Sequence, residues 1–130
     1  MGKIRHLAIK TEDTEALALF YREVFELKEI HRNRGKGGAI MLSDGYFCLA
    51  ILPNQDQNSR NGLYHFGFHI DDLEKTMEKI KKLDISKLPK PRPKDREYAE
   101  TRASDPDGNY FDLSVHGFLD VNPAIEKKSD

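Results

Sequence analysis

The sequence predicts an α+β protein in which one βαβββ unit occurs twice. Three observations carry this reading. His6-Leu7-Ala8-Ile9, followed by Asp13 and a helical pattern, aligns with His65-Phe66-Gly67-Phe68, followed by Asp72 and a second helical pattern, at an offset of 59 residues. Tyr46-Phe47-Cys48-Leu49-Ala50-Ile51 aligns with Tyr110-Phe111-Asp112-Leu113-Ser114-Val115 at an offset of 64. The segments keep the same order in both halves, which implies a duplication. At 130 residues the chain has the size of one domain, so the two units, about 3–53 and 62–118, should share one core and leave a polar tail over 120–130.

In the first unit, Ile4 to Lys10 is rich in branched residues and free of Gly and Pro, which suits a strand. Asp13 is placed to cap a helix whose apolar residues Leu17, Phe20, Tyr21 and Val24 recur at i, i+3, i+4 and i+7. Lys28 to Arg34, Ala39 to Leu42 and Tyr46 to Leu52 read as three further strands, the last two joined by an Asp44-Gly45 hairpin. Pro53 through Gly62 is polar and serves as the linker.

In the second unit, Leu63 to Ile70 is a strand, and Asp71 with Glu74 resembles a capping box that opens a helix on Leu73, Thr76, Met77, Ile80 and Leu83. Ser86 to Lys94 carries three prolines and four basic residues, so it reads as an exposed loop, and any strand there is broken or at an edge. Tyr98 to Ser104 and Asn109 to His116 complete the sheet, joined by Asp105-Pro106-Asp107-Gly108. That turn resembles the opening of an EF-hand loop, but His116 stands where the bidentate Glu should be, so it is read as a turn.

Composition excludes several classes of function. With 21 basic and 22 acidic residues the net charge is −1, which gives no general field for nucleic acid or an anionic membrane. The basic run Lys87, Lys90, Arg92, Lys94, Arg96 lacks interleaved aromatics and reads as solvated. A single cysteine, Cys48, precludes an intrachain disulfide and suits a reducing, cytoplasmic setting. No apolar run approaches the length of a membrane span.

Chemistry enters through strand parity. His6, Ala8 and Lys10 share one face of their strand, as do His65, Gly67 and His69. A pseudo-twofold axis relating the two units would bring His6 and His65 together, and the last strands contribute Cys48 and Asp112 as a matched pair. Two imidazoles and a carboxylate with open positions suit Fe(II), Mn(II), Ni(II), Co(II) or Zn(II), and a thiolate in the set would favour zinc. Taken singly, each residue has a plainer reading: a lone strand histidine is usually structural, and a lone buried cysteine is usually a small hydrophobe.

These residues are familiar as a group. The histidine segments, the run His69-Ile70-Asp71-Asp72, Phe20-Tyr21 in the first helix and Asp105 to Leu113 resemble the vicinal oxygen chelate superfamily over Ile4 to Gly117. That superfamily includes glyoxalase I, extradiol dioxygenases, methylmalonyl-CoA epimerase, fosfomycin-resistance thiol transferases and bleomycin-binding proteins. The resemblance implies a U-shaped mixed sheet around a central cleft, and homodimers whose subunits share each site. It also implies a divalent metal at His6, His65 and Asp112, where metal-binding members carry His, His and Glu, with Cys48 at the position of an acid in glyoxalase I. Asp112, one methylene shorter than Glu, would need a shifted strand or a bridging water.

The activity implied is that of a metal-dependent enzyme acting on a small oxygen-rich substrate; the alternative is a metal-free drug- or metabolite-binding protein of the bleomycin-resistance type. A third possibility, a ferredoxin-like dimeric barrel of βαβ units, is opposed by the final strand carrying Asp112. His69 and His116, which share faces with His65 and Asp112, are candidates for a general base or for supporting a ligand. Lys10, Tyr98 and Arg102 are candidates for orienting an anionic substrate.

Overall fold

A computed structural model of the chain describes residues 2–33, 35, 37–56, 58–83 and 100–119. The element order is β1 (Lys3–Thr11), α1 (Thr14–Phe25), β2 (Lys28–Arg32), β3 (Ile40–Ser43), β4 (Cys48–Pro53), β5 (Gly62–His69), α2 (Leu73–Leu83), β6 (Thr101–Ser104) and β7 (Tyr110–Ser114). The stretch 86–94, Tyr98 and the tail from 120 lie outside the described residues.

Local chemistry accounts for the element ends. Asp13 caps α1, its carboxylate accepting from Ala16 N at 3.0 Å. The cap of α2 is Asp72, whose carboxylate accepts from Lys75 N at 3.1 Å, so the helix opens one residue later than the sequence predicts. Glu74 then falls one position short of the place a capping box requires. Both Asp-Gly turns form as read: Asp44 accepts from Tyr46 N and Phe47 N at 2.8 and 2.7 Å. Asp105 accepts from Asp107 N and Asn109 N at 3.0 and 2.9 Å, and Gly108 takes the left-handed conformation, with φ 86°.

The seven described strands form one mixed sheet in the order β2-β3-β4-β1-β5-β7-β6. β1 runs parallel to β4, β5 runs parallel to β7, and β1 meets β5 antiparallel at the centre. At that seam His6 pairs with Gly67, Leu7 with Phe66 and Ala8 with His65. The 59-residue offset converts each of these pairs into another of the set, so the pseudo-twofold axis passes through Leu7 and Phe66.

The same register corrects the alignment of the last strands. His6 pairs with Cys48 and Ala8 with Ala50, whereas Gly67, the counterpart of Ala8, pairs with Asp112. The structural counterpart of Asp112 is therefore Ala50, one pleat away from Cys48. Hydrophobic matching aligns two strands that keep the same parity but differ in register, and parity does not distinguish the two registers.

One face of the sheet carries the helices. Ala18 of α1 packs with Ile40, Leu42 and Ile51, flanked by Leu17, Tyr21, Leu27 and Leu49. Near α2, Ile70, Ala103 and Leu113 pack with Phe68, Leu73, Ile80 and Phe111. Each fully buried aliphatic side chain here contributes about 1.5–3 kcal/mol. The other face gathers smaller residues, Ala8, Ala39, Met41, Cys48 and Ala50, around Phe118. That leaves room for the polar cluster described next.

A candidate metal centre on the open face of the sheet

Three polar side chains converge where β1, β5 and β7 lie side by side. His6 Nε2 is 3.2 Å from His65 Nε2. Asp112 Oδ2 is 3.1 Å from His65 Nε2 and 3.7 Å from His6 Nε2. All three residues are buried, at 6, 8 and 6% exposure. Burial without water requires that such groups satisfy one another or hold an ion. Metal bonds of about 2.1 Å set near right angles place ligand atoms about 3 Å apart, so the observed spacing fits a divalent ion with open positions. Asp112 reaches this place directly, and its Oδ1 lies 3.5 Å from Arg102 Nε.

Electrostatics favours ligand-ready forms. Burial pushes His6 down to about 4, against the pull of Asp112, so its nitrogen stays neutral at ordinary pH. Burial alone would raise Asp112, but its hydrogen bond to His65 and the neighbouring charges outweigh it and hold the carboxylate below its usual value. His65 Nδ1 is buried without a hydrogen-bond partner, so the His65 ring is oriented by packing and by Asp112.

Two structural devices place the histidines. In the β1–β5 ladder the register slips between Ile4 and His6, leaving Arg5 unpaired, and between Ala8 and Ile9, leaving Tyr64 unpaired. These bulges are related by the 59-residue offset, and each immediately precedes a histidine. A bulge re-aims a side chain: Tyr64 comes onto the histidine face, its ring 4.8 Å from that of His65. The second device is Phe118, which stacks flat on His6 with centroids 4.7 Å apart and planes 5° from parallel. Neither Tyr64 nor Phe118 stands out in the sequence, because alternation points Tyr64 away from His65 and Phe118 lies beyond the last strand.

Residues 3–113 match the Glyoxalase/Bleomycin resistance protein/Dioxygenase superfamily. The chain belongs to this superfamily. Among curated proteins, the uncharacterized protein PA2024 of Pseudomonas aeruginosa is 33% identical over 124 residues, covering 85% of this chain and 86% of that one. Solved structures that share the superfamily fold include methylmalonyl-CoA epimerase of Streptomyces coelicolor, at TM-score 0.64 and 22% identity over 85% of this chain and 94% of the epimerase. The 2,3-dioxygenase LapB of Pseudomonas sp. KL28 aligns at TM-score 0.68 and 21% identity over 87% of this chain, which spans 40% of the dioxygenase. A hypothetical protein, BH1468 of Bacillus halodurans C-125, aligns at TM-score 0.66 and 14% identity over 99% of this chain and 97% of that one.

Within this superfamily frame, the other sequence-selected residues fall into place separately. Cys48 stands outside the group of three, in the apolar cluster with Ala8, Met41 and Phe118, and burial pushes its thiol up to about 12. Arg102 and Lys10 both approach the Tyr64 ring, with Arg102 Cζ 5.6 Å and Lys10 Nζ 3.9 Å from its centroid. His69 Nε2 lies 3.1 Å from the Val115 carbonyl, which ties it to backbone. His116 is in short contact with Glu100, which is 7% exposed; burial raises the Glu100 carboxyl and the His116 contact opposes that rise. Among the described residues no helix is long and apolar enough to cross a membrane.

Proposed function

We propose that this chain is a metal-dependent enzyme acting on a small, oxygen-rich substrate that chelates a divalent transition metal through two neighbouring oxygens. The observation that supports this reading is the convergence of His6 Nε2, His65 Nε2 and Asp112 Oδ2, all buried, within one group of ligand atoms. A bound Fe(II), Mn(II), Ni(II), Co(II) or Zn(II) would supply Lewis-acid stabilisation of negative charge developing on a substrate oxygen. Cys48 stays protonated and apolar in this scheme, so the donor set is two nitrogens and one carboxylate.

The chain's own residues then have distinct tasks. His6 and His65 offer neutral imidazole nitrogens, and Asp112 offsets part of the positive charge. Arg102 holds the second carboxylate oxygen, which keeps Oδ2 turned toward the histidines. Phe118 covers one flank of His6. The Glu100–His116 contact lies near Asp112, with the Glu100 carboxyl raised by burial, and we assign the pair a proton-handling role. The triad is complete within one chain. The reading places the protein in a reducing cytoplasm, where Cys48 stays a thiol.

Metal content tests the proposal. Protein purified without an affinity tag and analysed by mass spectrometry is expected to hold about one equivalent of a transition metal per triad, and a His6→Ala, His65→Ala double variant to hold none. If neither chain takes up metal after incubation with Fe(II), Mn(II), Ni(II) and Zn(II), the enzyme reading fails and a metal-free binding protein replaces it.

A further inference from the structure

Beside the triad, two cations and a phenol are assembled on one rim. Tyr64 is there because of the bulge that precedes His65. Its hydroxyl accepts a hydrogen bond from Arg102 Nη1 at 3.2 Å. Lys10 Nζ sits over its ring and donates to Ser59 Oγ at 3.2 Å. Arg102 is also near Tyr110, with Cζ 5.6 Å from that ring. Its Nε faces Asp112, and among the described residues its Nη2 carries no hydrogen bond.

We infer that Lys10, Tyr64 and Arg102 form an oxyanion subsite, so that the substrate carries a carboxylate, or a phosphate in its place, in addition to its chelating oxygens. This rests on the proposed metal-dependent reading and names the substrate class for it. The geometry supports the step in three ways. A counter-charge for Asp112 would need Arg102 alone, yet Lys10 Nζ is also brought to 3.9 Å from the centroid of the Tyr64 ring. The Arg102 guanidinium is held at both ends by Asp112 and Tyr64, so its planar fork is fixed before a ligand arrives, which lowers the entropy lost on binding. A divalent ion on the triad would leave the cleft positive overall, and the two cations add to that field and draw an anion toward it.

The test uses the full chain loaded with Mn(II) and two probes that differ by one group. Acetohydroxamic acid offers two adjacent oxygens, and succinic monohydroxamic acid adds a carboxylate. By calorimetric titration the succinic probe is expected to bind the unmodified chain about tenfold more tightly, equivalent to about 1.4 kcal/mol. In a Lys10→Met, Arg102→Gln double variant the two probes should bind within about twofold of each other. Lys10→Met alone leaves the Arg102–Asp112 contact in place and should lose about threefold of the preference, while keeping its metal and its affinity for acetohydroxamic acid.

3-Phosphonopropanohydroxamic acid is the second oxyanion arm, and whichever charged probe binds tighter identifies the natural group. Equal binding of charged and uncharged probes by the unmodified chain, or a preference of about tenfold that Lys10→Met leaves undiminished, overturns the subsite. If the chain takes up no metal, the functional reading fails on its own. The subsite is then read by titrating succinate and inorganic phosphate against the metal-free chain. Saturable binding that Lys10→Met weakens upholds the subsite, and absence of binding overturns it.

Discussion

Gly67 sits in close packing beside the triad. A Cβ at this position would lie 2.7 Å from Phe118 Cζ and 3.0 Å from His6 Cβ. The absence of a side chain is therefore what lets Phe118 lie across β5 and stack on His6. Gly67→Ala should cost about 1–3 kcal/mol through overpacking and weaken metal uptake by tilting His6. Denaturant midpoints and metal titration of the variant check this; an unchanged midpoint would mean the Phe118 ring can yield freely. Phe118 reaches this place with φ at 69°, following Gly117 at 97°, a conformation that costs a bulky residue about 1–3 kcal/mol. His6 and His65 were legible in the sequence because repetition pointed to them, and Asp112 because the family resemblance did, the repeat having matched it to Cys48 rather than to Ala50. Phe118 was not, since no periodicity links it to β1 and only the folded return of the chain brings the two rings together.

Among the elements, helix α1 ends on an unusual residue. Glu26 caps it with φ 58°, the left-handed conformation that glycine adopts without a steric penalty. Glu26→Gly should therefore stabilise the protein by about 0.5–1 kcal/mol, seen as a higher thermal midpoint with metal content unchanged; a lower midpoint would show that the Glu26 side chain contributes contacts that outweigh the strain.

Most elements were legible at this scale because apolar periodicity and turn residues mark them: β1, α1, the Asp44-Gly45 hairpin and the Asp105 turn all stand where the sequence put them. The Asp71 cap was missed because two adjacent aspartates can each cap a helix, and Asp72 is the one that does. The alignment of Cys48 with Asp112 and the orientation of Tyr64 each depended on a one- or two-residue strand register. Register is decided by hydrogen-bond pairing across strands, and a hydrophobic pattern with the same parity fits more than one choice.

For the molecule as a whole, the buried triad sets the pH range of the metal-free protein. His6 titrates at about 4 in the folded chain, below its ordinary value of 6.5. Below pH 6.5 the unfolded chain takes up a proton that folded His6 refuses, so stability should fall as pH drops from 6.5 to 4 and this contribution should level off below that. The depression corresponds to about 3 kcal/mol at most. Asp112, held below the usual carboxylate value, adds its own loss only at lower pH. Urea midpoints measured in a chelator across this range test the expectation, and a profile flat between pH 6.5 and 4 would contradict it.

The seam between β1 and β5 is nearly its own mirror under the pseudo-twofold axis, and it is the only ladder joining the two units among the described strands. A ladder of this kind forms equally well when its two strands come from different chains. Exchange of halves between two copies would rebuild each His–His–Asp group from two polypeptides without altering any contact in it. Complementation reports such exchange. If a His6→Ala chain and a His65→Ala chain are unfolded together and refolded, an exchanged pair contains one intact triad, and metal uptake returns where neither parent has any. Uptake that stays absent would show that each chain keeps its halves to itself.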